Sequence, residues 1–318
     1  MNNQEVEELL YLCGDEKRIF WYFKDKFCLD LIALDAERRG AKTLSVRELK
    51  QSPYKKYLDK PIFSELSKRF PSGVVNTEDF PLFYPYEQIP FVVTLGKWQA
   101  SNRYSNQTTR KGANLVLQLN FDQQHTRKYV DLVKPTYDFG PFEYWGHPVY
   151  SGKYKTLAWV RLDVSFSTNE VLIEEIQTDW IRRANSLLTM VDRRQKQNLT
   201  TLPNYKKNCL SGSFEEIRQY VAVELKPYQE IWNEAALLAA IQFVKSELGI
   251  NSIYYHSFEQ GNVLKNIIGK PPKSLYSTLA KRFCFSKVQH HPEMILTTQK
   301  IRKNLKKVGA PNWYYMSV

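Results

Sequence analysis

The chain is short of the residues that would declare a chemistry outright. Only four cysteines occur in 318 residues. They stand at Cys13, Cys28, Cys209 and Cys284, and no two form a CxxC pair. This spacing argues against a zinc site and a disulfide framework, and it fits a reducing, cytoplasmic setting. The adjoining His290 and His291 lack a third ligand at metal spacing. No P-loop, GxSxG or HExxH motif is present. Long hydrophobic runs are missing too: the longest wholly apolar stretch is residues 235–241 (AALLAAI), too short to cross a membrane. The opening MNNQEVEELL puts acids before any apolar run, unlike a secretory signal.

Positive charge and aromatic rings are plentiful. Lysine and arginine number 45 against 33 aspartates and glutamates, a formal net charge of +12. That balance favours an anionic partner, such as nucleic acid, a phosphorylated cofactor or an acidic protein. Aromatics make up 14% and hydrophobic residues 43%. Disorder over most of the length is thereby excluded, and a full-sized core is expected.

Two regions are expected. Residues 1–73 read as helical: Val6, Leu9, Leu10 and Cys13 recur at helical spacing, as do Phe20, Phe23, Phe27 and Leu31. Residues 74–318 read as a mixed α/β domain. Strands are expected over 91–98 (FVVTLGKW), over 114–121, half-buried by its alternation, and over 154–166. Residues 101–112, with Arg103, Arg110 and Lys111, read as a mobile loop, and 135–153 as a structured aromatic loop. A turn at 167–170 makes 154–166 and 171–180 a hairpin. Residues 181–196 form a basic amphipathic helix, and the polar stretch 197–213 reads as a flexible insertion.

The segment 171–180 (VLIEEIQTDW) carries the chemistry. Strand alternation puts Ile173, Glu175, Gln177 and Asp179 on one face, with Leu172, Glu174, Ile176 and Thr178 on the other. Carboxylates on a central strand are costly to bury unless paired. The row therefore either lines a cleft, where a carboxylate serves as a base, or bonds to the adjacent Arg182 and Arg183. Residues 227–248 form a nearly all-apolar helix stopped by Gly249, and 250–257 (INSIYYHS) a second strand. Strand, helix, strand implies a parallel pair. His256, at the end of that second strand, lies where open α/β sheets place ligands, with Gln260 close by.

The run Glu175-Ile176-Gln177-Thr178-Asp179-Trp180 resembles a strand motif of phage and mobile-element proteins. More distantly, residues 152–289 resemble the second half of GNAT-type N-acyltransferases. The likeness lies in the strand, the long Ala/Leu-rich helix ending in Gly, the short strand, and then Leu275-Tyr276 and Phe283-Cys284-Phe285. The resemblance implies a twisted, mostly antiparallel sheet with flanking helices, GNAT-like in the second half. It implies Glu175 as base for an attacking amine and Tyr276 as acid for the departing thiolate, with Asp179, Gln177 and Trp180 beside them at a substrate cleft. It also implies acyl-coenzyme A, held on a Gly-rich loop that opens the long helix. Here that place reads ELKPYQEIWNEA: it has no glycine, Pro227 lacks an N–H, and Glu230 and Glu234 bring negative charge.

Two functions are expected as rivals. One is an acyltransferase-like enzyme with altered cofactor use. The other is a non-catalytic protein that binds nucleic acid or a host factor. It would use Arg182, Arg183, Arg193, Arg194, Lys303, Lys306 and Lys307, with Trp313 and Tyr314 for stacking.

Overall fold

A computed structural model of the chain describes residues 1–13, 18–69, 72–99, 107–149, 154–265, 271–296 and 299–318. Arg103 and the first part of the expected loop lie outside the described residues. The strands are β1 (Arg18–Tyr22), β2 (Thr43–Ser45), β3 (Val74–Asn76), β4 (Ile89–Gln99) and β5 (Ala113–Phe121). Then come β6 (Thr156–Ser165), β7 (Glu170–Gln177), β8 (Ser252–His256), β9 (Ser286–Val288) and β10 (Trp313–Ser317). β2 and β3 pair in a small antiparallel ribbon. The other eight form one sheet in the order β1-β4-β5-β6-β7-β8-β10-β9. Among the described residues every neighbouring pair is antiparallel except β7–β8. The mixed, mostly antiparallel architecture expected from the sequence is what the chain adopts.

One face of the sheet carries the main core. Leu115, Leu117, Leu119, Val160, Leu162, Ile173 and Ile176 are buried there with apolar residues of the helices Asp179–Lys196 and Lys226–Ser246. Leu237, Leu238, Ile241 and Val244 of the second helix are fully buried. Each such side chain is worth roughly 1.5–3 kcal/mol relative to exposure. Gly249, at φ 63°, takes the left-handed turn that ends this segment and feeds β8.

The opposite face is polar yet buried. All nine residues of β5 are buried, so the strand is not half-exposed as its alternation suggests. Its polar side chains bond to neighbouring strands. Asn120 Nδ2 donates to Thr94 Oγ1 at 2.8 Å, and Thr156 Oγ1 donates to Asn120 Oδ1 at 2.7 Å. Thr94 Oγ1 donates to Gln118 Oε1 at 2.8 Å, and Gln118 Nε2 donates to Pro148 O at 2.9 Å. Asp163 takes two bonds from Arg110, at 2.6 and 2.7 Å. Alternation reports side-chain polarity, and here polarity did not mean solvent.

Two local expectations are corrected. The first 73 residues are not purely helical, because Arg18–Tyr22 is an edge strand paired with β4. The helical spacing of Phe20 and Phe27 is broken by Asp25 at φ 64°, and the helix begins only at Lys26. Residues 197–213 are packed rather than a loose insertion. Leu202 and Leu210 are buried, and the Ser211 and Gly212 amides donate to Lys134 O and Val133 O at 2.9 and 3.1 Å.

Candidate active site

The parallel pairing of β7 and β8 runs only from Glu170–Ser252 to Ile173–Tyr255. Beyond it the strands part. At the same point β7 bulges: Leu162 of β6 faces Ile173 while Arg161 faces Glu175, so Glu174 is the extra residue. The bulge corrects the expected face. Glu175 and Gln177 stay together, opposite Arg161 and Trp159, but Ile173 turns into the main core. Asp179 is not on the strand, because it opens the helix Asp179–Lys196.

Glu174 fills the fork. Its carboxylate accepts from Thr109 N at 2.8 Å, Thr109 Oγ1 at 2.9 Å and His256 Nε2 at 3.2 Å. The Lys265 ammonium donates to Glu174 O. Burial pushes the carboxyl pKa up, but the His256 hydrogen bond and the charges of Lys265 and Arg161 outweigh it, leaving Glu174 at about 2. Burial pushes His256 down against the pull of Glu174, so its ring is neutral and donates from Nε2. This knot is wall. His256 and Gln260, expected to touch substrate, are fully buried, and Gln260 Oε1 accepts from Asn312 N at 2.9 Å.

One residue on, Glu175 faces a cavity of about 650 Å³, shared with Gln177, Trp98, Trp159 and His147. Glu175 Oε2 lies 2.5 Å from Arg161 Nη2, which also donates to Gln107 O at 3.0 Å. The guanidinium sits 5.0 Å from the Trp98 ring and 6.0 Å from the Trp159 ring. On the far wall Thr178 caps the helix, its Oγ1 accepting from Ile181 N at 3.3 Å and donating to Leu157 O at 2.6 Å. The cap sets Asp179 in the first turn, where the helix dipole favours a carboxylate.

Asp179 is bound on both oxygens. Oδ2 lies 2.5 Å from His147 Nδ1, while Oδ1 takes Gln177 Nε2 at 3.1 Å and Arg182. Burial opposes its ionisation, but the hydrogen bond from His147, the charge of Arg182 and the hydrogen bond from Gln177 hold its carboxyl below the usual range. A carboxylate only accepts, so the network assigns the imidazole proton to Nδ1 and leaves Nε2 with its lone pair. The ring is braced edge-on by Tyr144 at 4.7 Å and Trp159 at 5.4 Å. A histidine oriented by a carboxylate on a cavity wall is an acid–base catalyst in form. Sequence reasoning missed it, since His147 lies in the aromatic loop, 32 residues from Asp179.

Tyr276 sits in a short 3-10 turn, Lys273–Tyr276, beside the cavity-lining Leu275. Its hydroxyl is buried without a partner among the described residues. Burial first, then the negative charge of Glu175, raises its pKa well above 10, so the phenol keeps its proton. Trp180, in contrast, points away from the cavity: its Nε1 donates to Tyr220 OH at 2.9 Å within the core.

The basic residues do not share a surface. Arg182, Arg183, Arg193 and Arg194 belong to the helix packed on the main core. Lys303, Lys306 and Lys307 are exposed on the helix Gln299–Val308, whose Ile301 and Leu305 pack with Leu172 in the second cluster. Leu172 and Ile173 point to opposite faces of β7, so the two helices lie on opposite faces of the sheet. Trp313 and Tyr314 are buried and cannot stack on bases.

The start of the long helix offers no phosphate cradle. It continues from a π-helical turn, Gln219–Glu224, and the Leu225 and Gln229 amides are bonded to Tyr220 O and Leu225 O. Compared with protein-family models, curated proteins and solved structures, the chain matches none. No described helix is long and apolar enough to cross a membrane.

Proposed function

We propose that the chain is an acyltransferase-like enzyme and that the cavity at the end of β7 is its active site. The observation that carries this reading is the His147–Asp179 pair on the wall of a 650 Å³ cavity, at the carboxyl end of the parallel strand β7. Open α/β sheets take ligands there, and the volume suits a small molecule. His147 Nε2 accepts the proton of an attacking amine or hydroxyl as its heteroatom bonds to the acyl carbon. The electron pair of the breaking bond leaves with the departing group, which takes up the proton. Tyr276, the acid implied by the resemblance, is buried behind the cavity-lining Leu275 and is given no proton-transfer role in this reading. Glu175, the base implied by the resemblance, is engaged with Arg161 and positions that guanidinium instead. Coenzyme A does not fit the start of the long helix, so the acyl donor in this reading is a compact ester or thioester. A phage or mobile-element setting rests on the motif at 175–180 alone.

The test is release of nitrophenolate from p-nitrophenyl acetate, or of thiol from a small acetyl thioester, in the presence of a panel of amines. His147→Asn is expected to lower kcat/KM by about 10²–10⁴-fold with the fold intact. Equal turnover in the variant, or none in either protein, overturns the proposal.

The rival reading, binding of nucleic acid or a host factor, is supported by the exposed Lys303, Lys306 and Lys307 on one amphipathic helix. It calls for DNA or RNA binding that weakens steeply with salt and is lost when these three become Gln. No binding at low salt counts against it.

A further inference from the structure

The cavity has two walls of different character, because it passes the end of β7 from one face of the sheet to the other. Glu175 and Gln177 lie on the polar face, opposite Arg161 and Trp159, and His147 lines the cavity with them. Ile176, between the two, points into the main core, yet it borders the same cavity. From there the lining continues along the margin of that core with Ile181, Leu275 and Trp232, and then with Pro271 and Pro272. Trp232 and Pro271 are half-buried and Pro272 is exposed, so a ligand in the cavity can reach this apolar wall. The charges on the lining are matched within the protein: Glu175 by Arg161, and Arg182 by Asp179. What the protein leaves uncovered is a concave apolar surface, and covering such a surface is favourable.

Resting on the reading of this cavity as an active site, we infer that one of its substrates carries an uncharged apolar chain of several carbons next to its reacting group, laid against Trp232, Ile181 and Leu275. The reacting atoms lie at His147 on the polar wall, and the chain runs past Ile176 to the apolar one. An acetyl group would leave that wall to water. Each methylene buried there strengthens binding about three-fold. An ester or thioester donor and an amine acceptor can each present such a chain, and the two arms of the test tell them apart.

In one arm p-nitrophenyl acetate, butanoate and hexanoate are turned over with methylamine. In the other p-nitrophenyl acetate is turned over with methylamine, butylamine and hexylamine. In one series kcat/KM, relative to the rate without protein, is expected to rise at least about ten-fold from the shortest member to the longest. The series that rises identifies the substrate that carries the chain. Trp232→Gln should take about five-fold more from its longest member than from its shortest. Binding is read apart from turnover with methyl ketones, which have a chain and a carbonyl but no leaving group. 2-Octanone should move the indole N–H signals of Trp98 and Trp232, assigned with Trp98→Phe and Trp232→Phe, at a concentration at least about ten-fold lower than 2-butanone. Two flat series overturn the inference, as do ketones that bind without regard to chain length or a Trp232→Gln variant that lowers all members alike. Turnover that depends on His147 but not on chain length sinks the apolar site alone. Chain-dependent ketone binding, with turnover absent or indifferent to His147, sinks the catalytic reading alone.

Discussion

Glu174 and Glu175 are neighbours in the chain and opposites in surroundings. Glu174 is sealed in the fork between β7 and β8, with three hydrogen bonds to its carboxylate. Glu175 borders the cavity and, among the described residues, has one charged partner, Arg161. A single bulge separates the two fates. The sealed carboxylate ties the loop at Thr109 and the end of β8 to the sheet. The back wall of the cavity is therefore held by hydrogen bonds from three directions.

The largest effect expected from this contrast concerns stability. Glu174→Gln puts an amide NH₂ among donors and should cost roughly 3 kcal/mol in urea unfolding, whereas Glu175→Gln still accepts from Arg161 and should cost about 1 kcal/mol. Equal losses would break the comparison.

Acid should act through the buried histidines, His125 in the main core and His256 in the fork. Burial lowers His125 to about 3, and it also lowers His256. A histidine with a depressed folded pKa destabilises as pH falls below its unfolded value near 6.5, because only the unfolded chain takes the proton. The unfolding free energy should therefore fall by several kcal/mol from about pH 6.5 towards 3, with the melting temperature falling alongside. Glu174, at about 2 in the folded chain, adds a further loss below about pH 4.3, as the unfolded carboxylate takes up protons first. His125→Phe and His256→Gln should flatten the upper part of the profile, and an unaltered slope contradicts the burial argument.

A finer probe is Gly261→Ala. Its new Cβ would lie 3.1 Å from His256 Cβ. A loss of about 1 kcal/mol is expected, with the His147-dependent turnover unchanged; a large change in turnover would show that the wall and the cavity are not separable. The smallest effect belongs to Lys303, Lys306 and Lys307. Changing them to Gln should leave stability within about 0.5 kcal/mol.

Much of the sheet was legible because β4 to β8 carry strong apolar patterns and clear stops, such as Gly249. The edge strand β1 was not, since its Phe20 also fits the helical spacing of Phe23 and Phe27. The pairing of Glu175 with Gln177 was readable from alternation. The bulge was not, because an extra residue at Glu174 changes register without changing composition. Asp179 was singled out, but as part of the strand face, whereas it opens the following helix. Its partner His147 comes from a distant loop, and Trp98 and Arg161 come from strands whose patterns look structural. His256 and Gln260 sat at a ligand-binding position in the topology, yet tertiary bonds turned them into wall.

The claim most open to direct test is that Asp179 holds His147 with its proton on Nδ1 and its lone pair on Nε2 facing the cavity. Long-range ¹H–¹⁵N spectra of the histidine rings at pH 8 read the tautomer of each neutral imidazole, with His147→Asn assigning the signal. The expected result is an Nδ1–H tautomer for His147 that loses its preference in Asp179→Asn. An Nε2–H tautomer in the parent protein, or a signal indifferent to Asp179, would contradict the account.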